Sequence, residues 1–487
     1  MNNTVRELSP KELWNNFADL NAIPRPSKKE EQVIAFMVDF GKKLQLETYK
    51  DETGNVIIKK PATAGYENRV TVSLQSHLDM VHQKNGDTNF DFASQGIDML
   101  VDGDWVKANG TTLGADNGIG VASIMTILAS KEILHPALEA LFTIDEETGM
   151  TGALNLKGGL LDATIMLNLD TEEDNELTIG CAGGVDVSAS GNYETEETPS
   201  ASIAYRLSVK GLTGGHSGMD IHKGRGNANK LINRILLTAV KEFGLQFSEI
   251  DGGGLRNAIP RESFAEVVVP EIDAENFKTF VKAEELLLQS EYRSTDPNLV
   301  LSIEPVAVPA RIASDAFSYK FLRCVYACPN GIYRMSPDIP GLVQTSNNIA
   351  RVLVKEGAFS VLCLTRSAVD SEKMDLAKAI QSTFELTGAA VEFSGGYPGW
   401  TPRPDAPIVK LMSDLYKERY QENAMVNACH AGLECGIIGA NYPNTQMISF
   451  GPNIHGAHSP DEKVQVSSVQ KFWGFLLETL KRIPEKK

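Results

Sequence analysis

Cysteine is scarce in this chain. The six thiols, Cys181, Cys324, Cys328, Cys363, Cys429 and Cys435, are spread over 487 residues with no Cys-x-x-Cys pair. That density excludes a disulfide-stapled scaffold, and reduced thiols of a cytoplasmic protein are expected. Cys324 and Cys328 fall four apart in an apolar helical pattern and read as small buried residues. No run reaches roughly 18 uninterrupted apolar residues, so no membrane-spanning helix is expected. The opening Met1-Asn-Asn-Thr-Val-Arg-Glu-Leu has neither an apolar stretch nor a small-residue cleavage site, so no leader is expected either. Positive charge is also in short supply. The 46 Lys+Arg face 63 Asp+Glu, a formal net charge of −17. Nucleic acid is disfavoured as a partner, because phosphate binding rests on clustered Lys and Arg.

What is present is enough material for at least two hydrophobic cores. Leu13, Trp14, Phe17 and Leu20 repeat at helical spacing, and Ser27-Lys-Lys-Glu30 reads as a capping box opening a second helix. Short strands over 70–75, 137–144 and 164–169, the last two apolar, alternate with a small-residue helix over 118–129. That alternation predicts an α/β catalytic domain with a doubly wound, largely parallel sheet. Past Gly191 the texture changes. Asn192–Ser200 is polar and acidic and reads as a linker. Beyond it a helix–strand–strand–helix–strand order runs from 227 to 303 and recurs from 316 to 393, as an internal duplication of an α+β unit would. The tail is too small for a core of its own. The expected organisation is therefore a catalytic domain in two parts, 1–190 and 396–487, with an α+β lid domain, 191–395, inserted between them.

Chemistry-bearing residues gather at the predicted strand ends, where ligands sit in doubly wound sheets. Ser76-His77-Leu78-Asp79 closes the first strand, and in an extended segment His77 and Asp79 point the same way. Asp116 is a lone acid in the glycine-rich Thr112-Leu-Gly-Ala-Asp116-Asn-Gly turn. Three adjacent acids, Asp145-Glu146-Glu147, follow the next strand. Such a run repels itself unless it is solvated or holds a cation, and its members can divide ligation from proton transfer. Asp170 ends a further strand. Gly451-Pro-Asn-Ile-His455-Gly-Ala-His458 adds two histidines, either of which could ligate on spacing alone. Each piece has a bland reading as a cap or a solvated loop. Together, imidazoles and carboxylates at one sheet edge suit a pair of cations.

These motifs resemble the signature set of the co-catalytic zinc peptidases, the clan that includes carnosinase and the bacterial dipeptidases. Ser-His77-Leu-Asp79-Met-Val, Gly114-Ala-Asp116-Asn-Gly, Asp145-Glu146-Glu147-Thr-Gly, Asn168-Leu-Asp170 and His458-Ser-Pro-Asp-Glu carry the resemblance. Gly214-Gly-His216-Ser-Gly, Arg256-Asn257-Ala-Ile-Pro-Arg261 and His430-Ala-Gly-Leu-Glu434-Cys-Gly extend it over essentially the whole chain. It implies that His77, Asp116 and Asp170 hold one zinc, and that Asp116, Glu147 and His458 hold the other, with Asp116 bridging. Cobalt or manganese would serve the same ligands. Asp79 would orient His77, and Glu146 would be the general base that takes a proton from a water between the two ions to give the attacking hydroxide. His216 would stabilise the oxyanion. Asn257, Arg366, Gly432 and Glu434 would bind the substrate, Arg366 through its free carboxylate. His455 has no role in the resemblance and is read as structural.

The implied activity is hydrolysis of dipeptides, Xaa-His and others, under a lid that limits substrate length. A homodimer is the implied assembly. An N-acyl-amino-acid deacylase or a carboxypeptidase would share the metal site. A non-catalytic metal scaffold would have no need of Glu146.

Overall fold

The computed structural model describes residues 4–486. The chain divides into two compact units, one running through Gly180 and resuming over Pro402–Ala428 and from Leu433, the other comprising Cys181–Thr401 and Cys429–Gly432.

The first unit is organised by an eight-stranded mixed sheet. Across it the order is Glu47–Lys50, Val56–Lys60, Leu138–Thr143, Val72–His77, Ile165–Asn168, Gln446–Ser449, Glu176–Cys181 and Met425–Cys429. The four central strands are mutually parallel, and the hairpin at one edge is antiparallel. Val72–His77, Leu138–Thr143 and Ile165–Asn168 are buried along their whole length, as strands covered on both faces must be. Their parallel direction places the carboxyl ends of His77, Thr143 and Asn168 on one edge of the sheet. A four-stranded sheet, Met99–Asp102, Trp105–Ala108, Lys463–Gln465 and Ile454–His455, anchors the loop that carries His458. In it the His455 ring packs on Trp105, with centroids 4.9 Å apart.

The helix Ala115–Ala129 is buried over nearly its whole surface. Gly120 lets it press against the strand ends: a Cβ there would lie 2.5 Å from Ser76 Oγ and 2.8 Å from the Leu169 carbonyl. The capping box expected at Ser27 is not formed. The helix starts at Glu31, and the Glu30 carboxylate caps the backbone of Lys28 at 2.9 Å. The Ser27 hydroxyl donates instead to Asp79 Oδ2 at 2.8 Å. A distant acceptor has taken the hydroxyl in place of the local N–H donor of a capping box.

The second unit contains a sheet in the order Val300–Val306, Ser202–Lys210, Ser263–Pro270, Gln246–Gly253, Val343–Lys355, Ala358–Ser367, Gly183–Asn192 and Ala390–Tyr397. Its two halves follow one plan: strand, helix, two hairpin strands, helix, strand, laid side by side as fourth, first, third, second. One half runs from Ser202 to Val306 with helices Ala228–Phe243 and Ala274–Glu291. The other takes Gly183–Asn192 as its first strand and continues from the helix Asp315–Ala327 to Ala390–Tyr397. The halves meet where Gln246–Gly253 pairs with Val343–Lys355, over a core that includes Phe247, Phe277, Phe321 and Phe384.

This unit begins at Cys181, ahead of the composition change near Gly191. Its first strand is rich in Gly and Ser, and nothing in its composition separates it from the preceding turn. The linker stretch contains a short strand, Thr195–Glu197, paired with Arg311–Ala313. Among the described residues no helix is long and apolar enough to cross a membrane.

Candidate active site

The strand-end residues of the first unit converge. Asp116 divides its carboxylate. Oδ1 lies 3.2 Å from His77 Nε2, and Oδ2 lies 3.2 Å from His458 Nε2. On the first side Asp170 Oδ1 is 3.4 Å from the same His77 nitrogen. On the second Glu147 Oε2 is 2.9 Å from His458 Nε2. Ligand atoms of His77, Asp116 and Asp170 lie within 4.8 Å of one another, as do those of Asp116, Glu147 and His458. Two triads therefore share one carboxylate.

Asp79 supports this arrangement from behind. Its Oδ1 is 3.3 Å from His77 Nδ1 and accepts from the Glu146 N–H at 3.0 Å, while Oδ2 accepts from the Glu147 N–H at 3.3 Å. A carboxylate at Nδ1 keeps the proton there and leaves Nε2 as a ligand. Asp145, the first acid of the run, turns away to bond Lys28, Thr148 and Thr151. Glu146 and Glu147 remain for chemistry, at the start of a short helix entered through Asp145 at φ 55°.

The electrostatics of these groups call for cations. Burial and neighbouring acids push Glu146 well above the usual carboxylate range, and burial also raises Glu147 and Asp170. Asp116 is held low, although burial acts against it, by hydrogen bonds to His458 and His77. Burial disfavours a charged His77, yet Asp170 and Asp116 carry it well above its ordinary value. Hydrogen bonds to Asp116 and Glu147 push His458 up to about 11. Glu147 Oε1 is buried and has no hydrogen-bond partner among the described residues. Carboxylates and imidazoles so placed fit divalent cations, which would replace the protons these groups otherwise retain.

Glu434 also belongs to the first unit, at the start of the helix Glu434–Asn441. It accepts from Gln75 Nε2 and Thr143 Oγ1, both at 2.7 Å, and burial raises it to about 8.

The second unit gathers the other expected residues. His216 Nδ1 accepts from the backbone N–H groups of Gly218 at 3.2 Å and Met219 at 3.0 Å. The ring proton is thereby fixed on Nε2. Burial and the nearby Arg366 hold this imidazole below its ordinary pKa, in the neutral state. Ser217 N–H donates to the Asn257 carbonyl at 2.7 Å, so His216 and Asn257 sit on paired segments. The Arg366 guanidinium is buried and donates to Tyr397 Oη at 2.8 Å and to Ser217 Oγ at 3.4 Å. Among the described residues it forms no ion pair within 4 Å, unlike Arg256, whose Nε is 3.1 Å from Asp186 Oδ2. Gly432 lies in this unit, next to Ala431, whose carbonyl accepts from Ala182 at 3.0 Å.

Several residues that hold the site gave no local signal. The polar run Gln344-Thr-Ser-Asn-Asn348 is buried in the first half of the strand Val343–Lys355. Ser346 Oγ bonds His430 Nε2 at 2.7 Å, and Asn348 Nδ2 donates to the carbonyls of Arg256 at 3.1 Å and Ala258 at 2.8 Å. Five consecutive polar residues between apolar strand positions are the one trace of this role in the sequence.

A parallel-centred sheet with paired His–carboxylate triads at its carboxyl edge fits a metal-dependent hydrolase. The chain belongs to peptidase family M20/M25/M40, whose family model matches residues 73–482. It is 43% identical over 482 residues to the cytosol non-specific dipeptidase of Escherichia coli (strain K12), covering 99% of each chain. The solved aminoacylhistidine dipeptidase of Vibrio alginolyticus superposes with a TM-score of 0.94 at 46% identity, covering 99% of both chains. An aminopeptidase from Bacillus cereus shares the fold at 15% identity, with a TM-score of 0.57 and coverage of 98% and 99%.

Proposed function

We propose that the chain is a dipeptidase that uses two divalent cations, zinc foremost. The observation that carries this reading is the divided carboxylate of Asp116, shared by two ligand triads. His77, Asp116 and Asp170 would hold one cation, and Asp116, Glu147 and His458 the other. Bound there, the pair supplies Lewis acidity toward the scissile carbonyl and toward an attacking water.

The chain's own residues do the rest. Glu146, on the backbone that Asp79 grips, takes the proton of the water and returns it to the leaving amine. His216, neutral and with its proton on Nε2, donates to the oxygen that gains charge. The buried Arg366, free of any ion pair among the described residues, pairs with the carboxylate of a short substrate, and Tyr397 and Ser217 fix its orientation. Asn257, Gly432 and Glu434 complete the substrate contacts.

The names of the two close relatives support dipeptides, Xaa-His among them, as the substrate class, and a cytoplasmic location. The sparse cysteines suit that compartment. The expected homodimer is part of the same proposal and is tested by light scattering. Purified enzyme should be offered dipeptides, tripeptides and N-acyl amino acids. Cleavage of dipeptides first supports the reading, and cleavage of the acyl compounds alone rejects it.

A further inference from the structure

The Leu113–Asp116 turn is held from two sides by buried ions of opposite sign. Glu462, 2% exposed, accepts four successive backbone N–H groups. Oε2 takes Leu113 at 2.7 Å and Gly114 at 2.9 Å, and Oε1 takes Ala115 at 2.8 Å and Asp116 at 3.3 Å. Arg25, 1% exposed, takes the carbonyls. It donates to Gly114 O at 2.5 Å, and also to Leu78 O at 3.1 Å and Asp79 O at 3.0 Å. A fourth bond, to Asn21 Oδ1 at 3.0 Å, recruits a side chain that itself donates to Leu113 O at 3.0 Å.

Glu462 is held by backbone N–H groups and Arg25 chiefly by backbone carbonyls, and each links the turn to a segment bearing another candidate ligand. Glu462 lies four residues beyond His458. The loop between them is closed by Ser459 N–H on Gly456 O at 3.2 Å and Glu462 N–H on Ser459 O at 3.0 Å. Arg25 joins the turn to the segment just after His77. Two charges removed from water are a poor way to gain stability, and apolar residues of like volume serve that end as well or better. What they add is a fixed register between three segments far apart in sequence.

We propose that Glu462 and Arg25 are positioning residues that hold Asp116 at its set distances from His77 and His458, and so set the spacing of the two cations. This rests on the two-cation reading, and concerns residues that touch neither cation nor substrate.

The test is stepwise zinc titration of cation-free protein against a competing chelator, with the cobalt absorption spectrum as a second readout. Wild type, Glu462→Gln, Glu462→Asp and Arg25→Lys are compared. A core variant of the second unit, Ile380→Val, controls for lost stability. Glutamine keeps the shape but turns an N–H₂ toward two N–H groups. The second zinc equivalent should weaken by about tenfold or more in the Glu462 variants, the range found when residues behind the ligands are changed. Their cobalt spectra should shift, while Ile380→Val binds as wild type does. Unchanged affinities and spectra in the Glu462 and Arg25 variants would overturn the proposal, even if all unfold at lower temperature. Weakening equal to that in the core control would also overturn it. If wild type itself binds no cation, the metal reading fails instead.

Discussion

Asp79 Oδ1 lies 3.3 Å from His77 Nδ1, and both side chains are shut away from water. The same carboxylate holds the backbone of Glu146 and Glu147, so one acid orients a candidate ligand, a candidate base and a second ligand. Asp79→Asn removes the charge that fixes the His77 tautomer and turns an N–H₂ toward a backbone N–H. Cation affinity and kcat/KM should both fall by roughly tenfold to hundredfold. Chelator competition and steady-state kinetics measure the two effects, and an unaltered cation affinity would remove Asp79 from this role.

Glu146 separates proton transfer from cation binding. Glu146→Ala should lower turnover by about 10²–10⁴-fold, the usual worth of a general acid–base group. Cation content by elemental analysis should stay at the wild-type value. Full turnover in this variant contradicts the assignment.

Arg366 is expected to read the substrate's carboxylate. In Arg366→Ala the kcat/KM for a free dipeptide should drop by roughly tenfold to hundredfold, the worth of a hydrogen bond to a charged group. A dipeptide amide, lacking the carboxylate, should lose far less. Equal losses on both substrates would assign Arg366 to holding Ser217 and Tyr397 alone.

His430 makes stability depend on pH. Burial, with Arg366 and His216 nearby, lowers its pKa to about 3, whereas an unfolded histidine titrates near about 6.5. Between these values the unfolded chain holds a proton that the folded one does not. The contribution is therefore full above the unfolded pKa and is lost as pH falls toward the folded one, with a limiting slope of about 1.4 kcal/mol per pH unit. Urea unfolding at several pH values below neutrality should show this slope in wild type and a shallower one in His430→Gln. Identical slopes would exclude His430 as the titrating group.

The strand-end motifs were legible because they are local. Glu146, Glu147 and Asp170 follow apolar runs that specify buried strands, where a polar residue at the end is conspicuous, and His77 closes a short strand in which apolar and polar residues alternate. The repeated plan of the second unit was legible for a like reason, since helix and hairpin periodicities mark its elements. What holds the site was less so. Glu462 meets its partners across nearly 350 residues, Arg25 stands between two prolines with no motif around it, and Ser27 satisfies a capping pattern while bonding Asp79. The strand Gly183–Asn192 carried no compositional mark of the unit it joins. These outcomes were decided by tertiary hydrogen bonding and sheet pairing, which local propensity does not encode.

The central claim, dipeptide hydrolysis by a centre of two cations sharing Asp116, is met most directly by titrating chelated, inactive enzyme with zinc while following hydrolysis of an Xaa-His dipeptide. The account predicts no activity without cation and full recovery at two equivalents per chain, with cobalt and manganese also competent. Undiminished hydrolysis by thoroughly chelated enzyme, or full recovery at one equivalent, would contradict it.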